Sequence, residues 1–236
     1  MVIAGLQKMT LLDFPGKVAC TVFLHGCNFR CPFCHNSQLL FGTGEALMEQ
    51  DELLDFLRKR VGLLDGVCIT GGEPTLQPEL PKLLREIKAL GYPVKLDTNG
   101  SHPEVLKALA EEGLLDYVAM DIKNGPASYP ETAGMRPDLL EKIEESMVFL
   151  MTGALDYEFR TTVVAEFHHE ESIAAMGAWL QRLAPENKAK RFFLQNFVAR
   201  DSVLQENLHA PAREKLELFR EILAPFAQTV EIRGVD

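Results

Sequence analysis

The chain has 236 residues, 47% of them hydrophobic, and a formal net charge of −10. No apolar run reaches the ~18–20 residues that span a bilayer, and residues 1–8 lack the pattern of a signal peptide, so we expect a cytoplasmic location. An acidic chain without a dense basic run disfavours nucleic-acid binding. The 5 cysteines are too few for a secreted disulfide scaffold, and Cys20 and Cys68 fall in apolar runs where inert thiols are expected.

Strand-like and helix-like patterns alternate along the chain. Strands are predicted at residues 18–24, 67–70, 94–96, 117–120, 157–164 and 191–198, with a short last strand at 229–232. Residues 37–47, which include Gly42 and Gly44, read as a loop. Apolar residues at helical spacing follow it at Leu53, Leu54 and Leu57, and recur between the later strands. No linker or break in composition occurs, so we predict a single domain over residues 1–236.

Six strand-then-helix units predict an α/β fold with parallel strands. A doubly wound open sheet and a barrel both fit this pattern. A complete eight-unit barrel typically needs about 250 residues, so six units suit a partial (β/α)6 TIM-like barrel. Unusual polar and glycine-rich motifs follow the carboxyl ends of several strands, where barrels build their active sites, and this favours the partial barrel.

Three cysteines, Cys27, Cys31 and Cys34, lie in the loop after the first predicted strand. Thiolates at this spacing bind soft metals or iron–sulfur clusters. A structural zinc site and a complete 4Fe–4S site each use four protein ligands, so three cysteines leave one iron open to another molecule. Zinc completed by His25 or His35, free thiols, and incidental cysteines in an unrelated enzyme remain alternatives.

A second motif, Gly71-Gly72-Glu73-Pro74, follows the next strand. Two glycines let a backbone approach a ligand closely, and exposed N–H and C=O groups can bind the amino group of a small molecule. Glu73 is expected to support this loop. The alternative is an ordinary Gly-Pro turn.

Charged residues follow two further strands. Asp97 is an acceptor suited to an ammonium group or a ribose hydroxyl, although Asp-Thr-Asn-Gly is also good turn chemistry. Asp121 and Lys123 are two residues apart, so on an extended chain both side chains point to one face. Together they could clamp a zwitterion, or they could form an ion pair that only supports the barrel. Arg160, a charge within a strand pattern, could meet the carboxylate of a bound ligand or pair with an acid such as Glu158 or Asp121.

The Cys-x3-Cys-x2-Cys motif, with an aromatic residue before its last cysteine and His-Asn after it, resembles the radical S-adenosylmethionine enzymes. More narrowly, it resembles the activating enzymes of glycyl-radical enzymes. Residues 11–36, with Asp-Phe-Pro-Gly ahead of the cysteine loop, are similar to activating proteins of anaerobic ribonucleoside-triphosphate reductase.

The resemblance implies a six-unit partial barrel with two cofactors. A 4Fe–4S cluster would be held by the catalytic residues Cys27, Cys31 and Cys34. S-adenosylmethionine would be bound by the loop and strand-end residues Phe33, Cys34, His35, Gly71, Gly72, Glu73, Asp97, Asp121 and Lys123. In this set Phe33 is expected to stack on the adenine ring, and His35 is expected to orient the cysteine loop through hydrogen bonds.

The resemblance also implies a reaction. S-adenosylmethionine would be cleaved reductively to a 5′-deoxyadenosyl radical, which takes hydrogen from a glycine of a partner, here anaerobic ribonucleotide reductase. A flavodoxin- or ferredoxin-type donor would supply the electron. One departure is that Gln195 or Asn196 stands where pyruvate formate-lyase activators carry a cofactor-contacting histidine. A radical enzyme acting on a small molecule, and a zinc-binding interaction module, remain alternatives.

Overall fold

The computed structural model of the protein describes residues 1–40 and 46–235, so Gly42 and Gly44 of the predicted loop lie outside the described residues. Packing divides the chain into two compact units, each built from several segments. The first contains Met1–Asn28, Gln38–Thr98 and Glu104–Ala119, and the second contains Phe29–Ser37, Asn99–Pro103 and Met120–Asp236. Neither unit is a continuous half of the sequence, and the single-domain assignment stays a prediction.

Eight strands and seven α-helices form the described secondary structure. The strands are β1 (Ile3–Thr10), β2 (Ala19–Leu24), β3 (Gly66–Gly71), β4 (Val94–Thr98), β5 (Tyr117–Asp121), β6 (Tyr157–Val163), β7 (Ala189–Asn196) and β8 (Ala227–Arg233). The helices are α1 (Gln50–Arg58), α2 (Leu80–Ala89), α3 (Pro103–Glu111), α4 (Tyr129–Ala133), α5 (Leu140–Thr152), α6 (Glu170–Leu183) and α7 (Arg213–Leu223). No helix in these described segments has the length and apolar character needed to cross a membrane.

The strands follow one another in the sheet in sequence order, from β1 to β8. The pairs β2–β3, β3–β4, β6–β7 and β7–β8 are parallel. Strand β1, which precedes the predicted strands, is antiparallel to β2. The fold class is therefore an open, mostly parallel α/β sheet. Every predicted strand is present. The sequence reading missed β1, because its exposed residues interrupt any apolar run, and it missed the five-residue helix α4.

In the first unit, helices bury the apolar faces that the sequence predicts. Leu53 and Leu57 of α1 are four residues apart and completely buried. Leu83 and Leu84 of α2 are also completely buried. Gly91 after α2 has a positive φ of 88° and ends the helix in the conformation that glycine adopts most easily.

In the second unit, α5 and α6 bury apolar side chains on their inner faces. Met147 and Leu150 of α5 and Met176 of α6 are completely buried. The ring of Trp179 meets the ring of Tyr129 edge-on, with the centroids 5.7 Å apart. Such pairs add stability beyond the area they bury.

Gly177 in α6 faces the ring of Phe226, and an added Cβ would lie 2.3 Å from the Cδ2 atom of that ring. We expect Gly177→Ala to destabilise the protein by about 1–3 kcal/mol through overpacking, although alanine is the better helix former. Urea unfolding of the apoprotein measures this. The double variant Gly177→Ala/Phe226→Ala should show a smaller combined loss than the two single losses added. Additive losses would contradict the contact.

Candidate functional site

The two glycines of the Gly-Gly-Glu-Pro motif pack against the backbone that leads into the cysteine loop. Gly71 has a φ of +127°, and an added Cβ would lie 2.2 Å from the carbonyl oxygen of Leu24. A Cβ on Gly72 would lie 2.0 Å from the carbonyl oxygen of Gly26, the residue before Cys27. Both positions therefore require glycine for a reason internal to the protein. The predicted approach of a ligand to this backbone stays a prediction.

Glu73 holds the same loop in place. Its backbone N–H donates to the carbonyl oxygen of Gly26 at 2.7 Å. The carboxylate is almost fully buried, and its Oε1 accepts hydrogen bonds from Thr75 N at 3.1 Å and from Thr98 Oγ1 at 2.8 Å. This pattern matches the expected supporting role. Direct contact between Glu73 and a cofactor stays a prediction.

Asp97 lies at the carboxyl end of β4 beside a buried lysine that the sequence analysis missed. Lys95 Nζ forms an ion pair with Asp97 Oδ1, and the exposed fractions of the two side chains are 2% and 15%. The thiol of Cys68 donates to the same carboxylate oxygen at 3.7 Å. A charged residue two positions before Asp97, inside an apolar strand, was the signal that could have identified it.

In the second unit, the segment carrying two of the cysteines packs against α4. Arg30 N donates to the carbonyl oxygen of Ala133 at 3.1 Å, and the thiol of Cys31 donates to the same oxygen at 3.4 Å. Gly134 ends α4 in the left-handed region with a φ of +57°. Cys34 N donates to the carbonyl oxygen of Cys31 at 3.1 Å, so a single turn carries both thiols.

Phe33, between these cysteines, is buried among rings of the chain. Its centroid lies 5.8 Å from that of Phe167 and 6.3 Å from that of His168. His168 Nδ1 accepts from Val164 N at 3.0 Å, so Nε2 carries the proton and donates to the carbonyl oxygen of Lys123 at 2.8 Å. His168 therefore joins the residue after β5 to the packing around Phe33. The stacking of Phe33 on adenine stays a prediction.

His35 anchors the cysteine-bearing segment to the loop after β7. Its ring stacks on Phe197 at a centroid distance of 5.4 Å, and its Nε2 lies 2.8 Å from the carbonyl oxygen of Val198. Burial lowers the pKa of His35 below its usual value. Ser202 Oγ donates to the carbonyl oxygen of His35 at 2.8 Å. His35 thus has the orienting hydrogen bonds that the sequence predicted.

Asp121 is the centre of an ion cluster at the end of β5. Lys123 Nζ lies 2.9 Å from one carboxylate oxygen, and Arg160 Nε lies 3.0 Å from the other. Burial alone would raise the pKa of Asp121, but the charges of Arg160 and Lys123 outweigh it and lower the pKa to about 2. Burial acts to lower the pKa of the Lys123 ammonium, but neighbouring groups, chiefly Asp121, together outweigh burial and raise this pKa above its usual value. The predicted juxtaposition of Asp121 and Lys123 therefore exists as an ion pair.

Comparison with models of known protein families assigns the chain to a family. The family model described as "Radical SAM superfamily" matches residues 21–152, more than half of the chain. The chain belongs to the radical S-adenosylmethionine superfamily. Members of this superfamily use a 4Fe–4S cluster together with S-adenosylmethionine.

Two curated relatives in this superfamily extend over most of the chain. A Methanocaldococcus jannaschii protein named "Putative glycyl-radical enzyme activating enzyme MJ1227" is 31% identical over 99% of this chain and 96% of its own length. A Thermococcus kodakarensis protein named "Probable GTP 3′,8-cyclase" is 30% identical over 81% of this chain and 65% of its own length.

A solved structure supports the fold. The chain matches Streptococcus suis SuiB with a TM-score of 0.67 and 17% identity, over 91% of this chain and 48% of SuiB. At this identity the likeness concerns the fold alone. It agrees with a radical S-adenosylmethionine fold, and the predicted partial-barrel class is confirmed.

The thiols of the cysteine loop are the donor type that iron–sulfur clusters use. Burial raises the pKa of Cys31 to about 11, and the charge of Lys123 acts in the opposite direction. A buried thiol of this kind becomes a thiolate when a metal supplies the compensating charge. Among residues 1–40 and 46–235, no group of three or more His, Cys, Asp and Glu side chains has the arrangement of a metal-ion site. The three-cysteine ligand set therefore stays a prediction that rests on spacing and donor type.

The predicted site residues form two groups within the two units. The first unit carries Cys27, Gly71, Gly72, Glu73 and Asp97, and the second carries Cys31, Phe33, Cys34, His35, Asp121 and Lys123. Two further residues, Lys95 and His168, touch members of these groups directly.

We expect Gly72→Ala to disturb the backbone before the cysteine loop, because its Cβ would collide with the carbonyl oxygen of Gly26. Hydrogen exchange measured on the apoprotein should show faster exchange at Glu73 N–H, which donates to that oxygen. Gly91→Ala is the control, because nothing lies within 4 Å of its added Cβ and the strain from its positive φ is confined to the end of α2, so the exchange of Glu73 N–H should not change. Unchanged exchange in Gly72→Ala would show that the loop accommodates a side chain.

We expect Asp121→Asn to destabilise the apoprotein by about 2 kcal/mol, less than the roughly 3–5 kcal/mol of a fully buried broken pair. The variant leaves Lys123 and Arg160 without the carboxylate that they share. Because the folded pKa of about 2 lies below the ordinary 3.8, this contribution is present above about pH 4 and is lost as the pH falls toward 2.

Urea unfolding between pH 2 and pH 7 measures this contribution. As the pH falls from about 4 toward 2, the wild type should lose more stability than the variant, and the difference is the contribution of Asp121. Asp138→Asn is the matched control, because Asp138 and its partner Arg136 are mostly exposed and their pair should contribute nothing measurable. Equal stability of wild type and Asp121→Asn at pH 7 would contradict the role of this cluster.

Proposed function

We propose that the chain is a radical S-adenosylmethionine enzyme that generates a glycyl radical on a partner enzyme, anaerobic ribonucleoside-triphosphate reductase. The observation that carries the proposal is the similarity to a relative named as a glycyl-radical enzyme activating enzyme, which extends over 99% of this chain. The choice of the reductase rests on the resemblance of residues 11–36 to reductase activators.

When bound, a 4Fe–4S cluster supplies the electron that cleaves S-adenosylmethionine to methionine and a 5′-deoxyadenosyl radical. In this proposal Cys27, Cys31 and Cys34 hold the cluster and leave one iron open. The backbone at Gly71 and Gly72 binds the amino group of the methionine moiety.

Charged and aromatic residues of the chain complete the proposed cofactor site. Asp97 accepts a hydrogen bond from a hydroxyl or ammonium group, and Lys123 binds the methionine carboxylate. Asp121 keeps Lys123 in place, because the two groups are already paired. Phe33 and His35 orient the cysteine loop, since both are packed against other rings of the second unit.

The proposal names two protein partners. The reductase presents a glycine as the hydrogen donor, and a flavodoxin- or ferredoxin-type protein supplies the electron. We place the reaction in the cytoplasm, because all 5 cysteines are free thiols and an exposed iron–sulfur centre needs a reducing compartment.

The test uses protein reconstituted with iron and sulfide under anaerobic conditions and reduced with dithionite. We expect 5′-deoxyadenosine from S-adenosylmethionine, and a glycyl-radical signal in electron paramagnetic resonance once the anaerobic reductase is added. Cys31→Ala should lose both, because a cluster with three protein ligands cannot spare one. Cys20→Ala is the matched control, since Cys20 is completely buried within β2 and should leave both products intact.

Two results would contradict the proposal in different ways. Zinc without iron after anaerobic purification would favour the zinc-binding module. Cleavage of S-adenosylmethionine without a radical on any glycyl-radical enzyme would favour action on a small molecule. The GTP cyclase relative, similar over 81% of this chain, is the observation that supports that second candidate.

A further inference from the structure

Strand β4 carries a lysine inside an otherwise apolar stretch. Its residues read Val-Lys-Leu-Asp-Thr, and Lys95 is 1% exposed, as deeply buried as Val94 and Leu96 beside it. Removing an ammonium group from water costs several kcal/mol unless a partner compensates. A buried lysine at this position therefore needs a specific reason.

The partner of Lys95 is the carboxylate that follows it on the same face of the strand. Lys95 and Asp97 are two residues apart, and Lys95 Nζ pairs with Asp97 Oδ1. Cys68, the register partner of Lys95 on β3, lies 3.8 Å from the ammonium and 3.7 Å from the carboxylate. Three polar groups of two neighbouring strands thus share one face of the first unit.

The two ends of this pair differ in exposure. The Lys95 side chain is 2% exposed, whereas 15% of the Asp97 side chain reaches the surface. The ion pair therefore joins an ammonium group removed from solvent to a carboxylate that is still partly exposed. Replacing a buried ion pair by apolar residues is often neutral or stabilising, so stability alone is a weak reason to keep such a pair.

The position of Asp97 suggests the stronger reason. Asp97 is at the carboxyl end of β4, and the next residue, Thr98, donates a hydrogen bond to Glu73 of the Gly-Gly-Glu-Pro loop. A shift of the Asp97 carboxylate would move an acceptor at the end of β4, one residue before the side chain that bonds to this loop. Binding sites need such acceptors fixed to within about 0.5 Å by neighbouring groups.

We infer that Lys95 is a positioning residue that fixes the charge and direction of the Asp97 carboxylate for S-adenosylmethionine binding. The inference rests on the proposed function in one respect, that Asp97 contacts S-adenosylmethionine. It assigns to Lys95 a role through Asp97 alone, without contact between Lys95 and the cofactor.

The test measures the dissociation constant of S-adenosylmethionine by calorimetry on anaerobically reconstituted protein with verified iron content. Lys95→Met, which keeps most of the volume and removes the charge, should weaken binding at least tenfold. In the Asp97→Asn background, the same substitution should cause no further loss, because the group that Lys95 positions is already neutral. Such non-additivity identifies residues that act through one another.

The matched control is Lys88→Met. Lys88 pairs with Asp116 at 2.7 Å, and Asp116 accepts a hydrogen bond from Val94 N at the opposite end of the same strand. We expect Lys88→Met to leave the affinity for S-adenosylmethionine unchanged, even if urea unfolding shows a loss of stability. If Lys95→Met does not fold, Lys95→Gln takes its place. This variant removes the charge but keeps a hydrogen-bond donor, so we expect a smaller loss of affinity that again disappears in the Asp97→Asn background.

Each outcome decides between distinct conclusions. Wild-type affinity in the Lys95 variant, or losses that add in the double variant, would overturn the inference while the proposed function stands. A wild-type protein that contains its cluster and does not bind S-adenosylmethionine would overturn both. Binding without glycyl-radical formation would reject the proposed partner and leave the role of Lys95 intact.

Discussion

A carboxylate buried near a strand end needs hydrogen-bond donors or a cation beside it, and this constraint acts in both units. Three buried or half-buried acids meet it with lysine or arginine side chains of the same unit. The pairs are Asp97 with Lys95, Asp121 with Lys123 and Arg160, and Glu158 with Arg233. The chain has 34 acidic and 24 basic residues, so it commits four scarce cations to these positions. The loss of one of these cations would be costly, since an unpaired buried charge destabilises a fold by several kcal/mol.

The cysteine loop depends on a different kind of constraint, which is close contact between backbones. In the first unit, Gly72 leaves no space for a side chain beside Gly26. In the second unit, backbone groups of Arg30 and Pro32 bond to Ala133 and Gln205. Each part of the loop is thus held by residues far away in the sequence. Within each unit, the segment that carries the thiols is therefore fixed by its own backbone contacts.

The comparison of sequence and structure differs from element to element. Leu53 and Leu57 revealed α1 because a repeat of apolar residues at helical spacing survives any tertiary context. The edge strand β1 gave no such signal, since residues exposed on an edge strand need not be apolar. The burial of His168 could not be predicted, because its hydrogen bonds to Val164 and Lys123 depend on how the turn after β6 folds.

The sequence by itself determined the α/β class, the alternation of strands and helices along the chain, and the residue types of the candidate site. Strand and helix periodicities are local, and the spacing of Cys27, Cys31 and Cys34 is a property of the chain alone. Only the tertiary structure decided that Lys95 forms an ion pair with Asp97, and that position 72 must be glycine because the backbone of Gly26 lies against it. These relations depend on the register of parallel strands and on the space between backbones, and neither can be inferred from residues adjacent in the sequence.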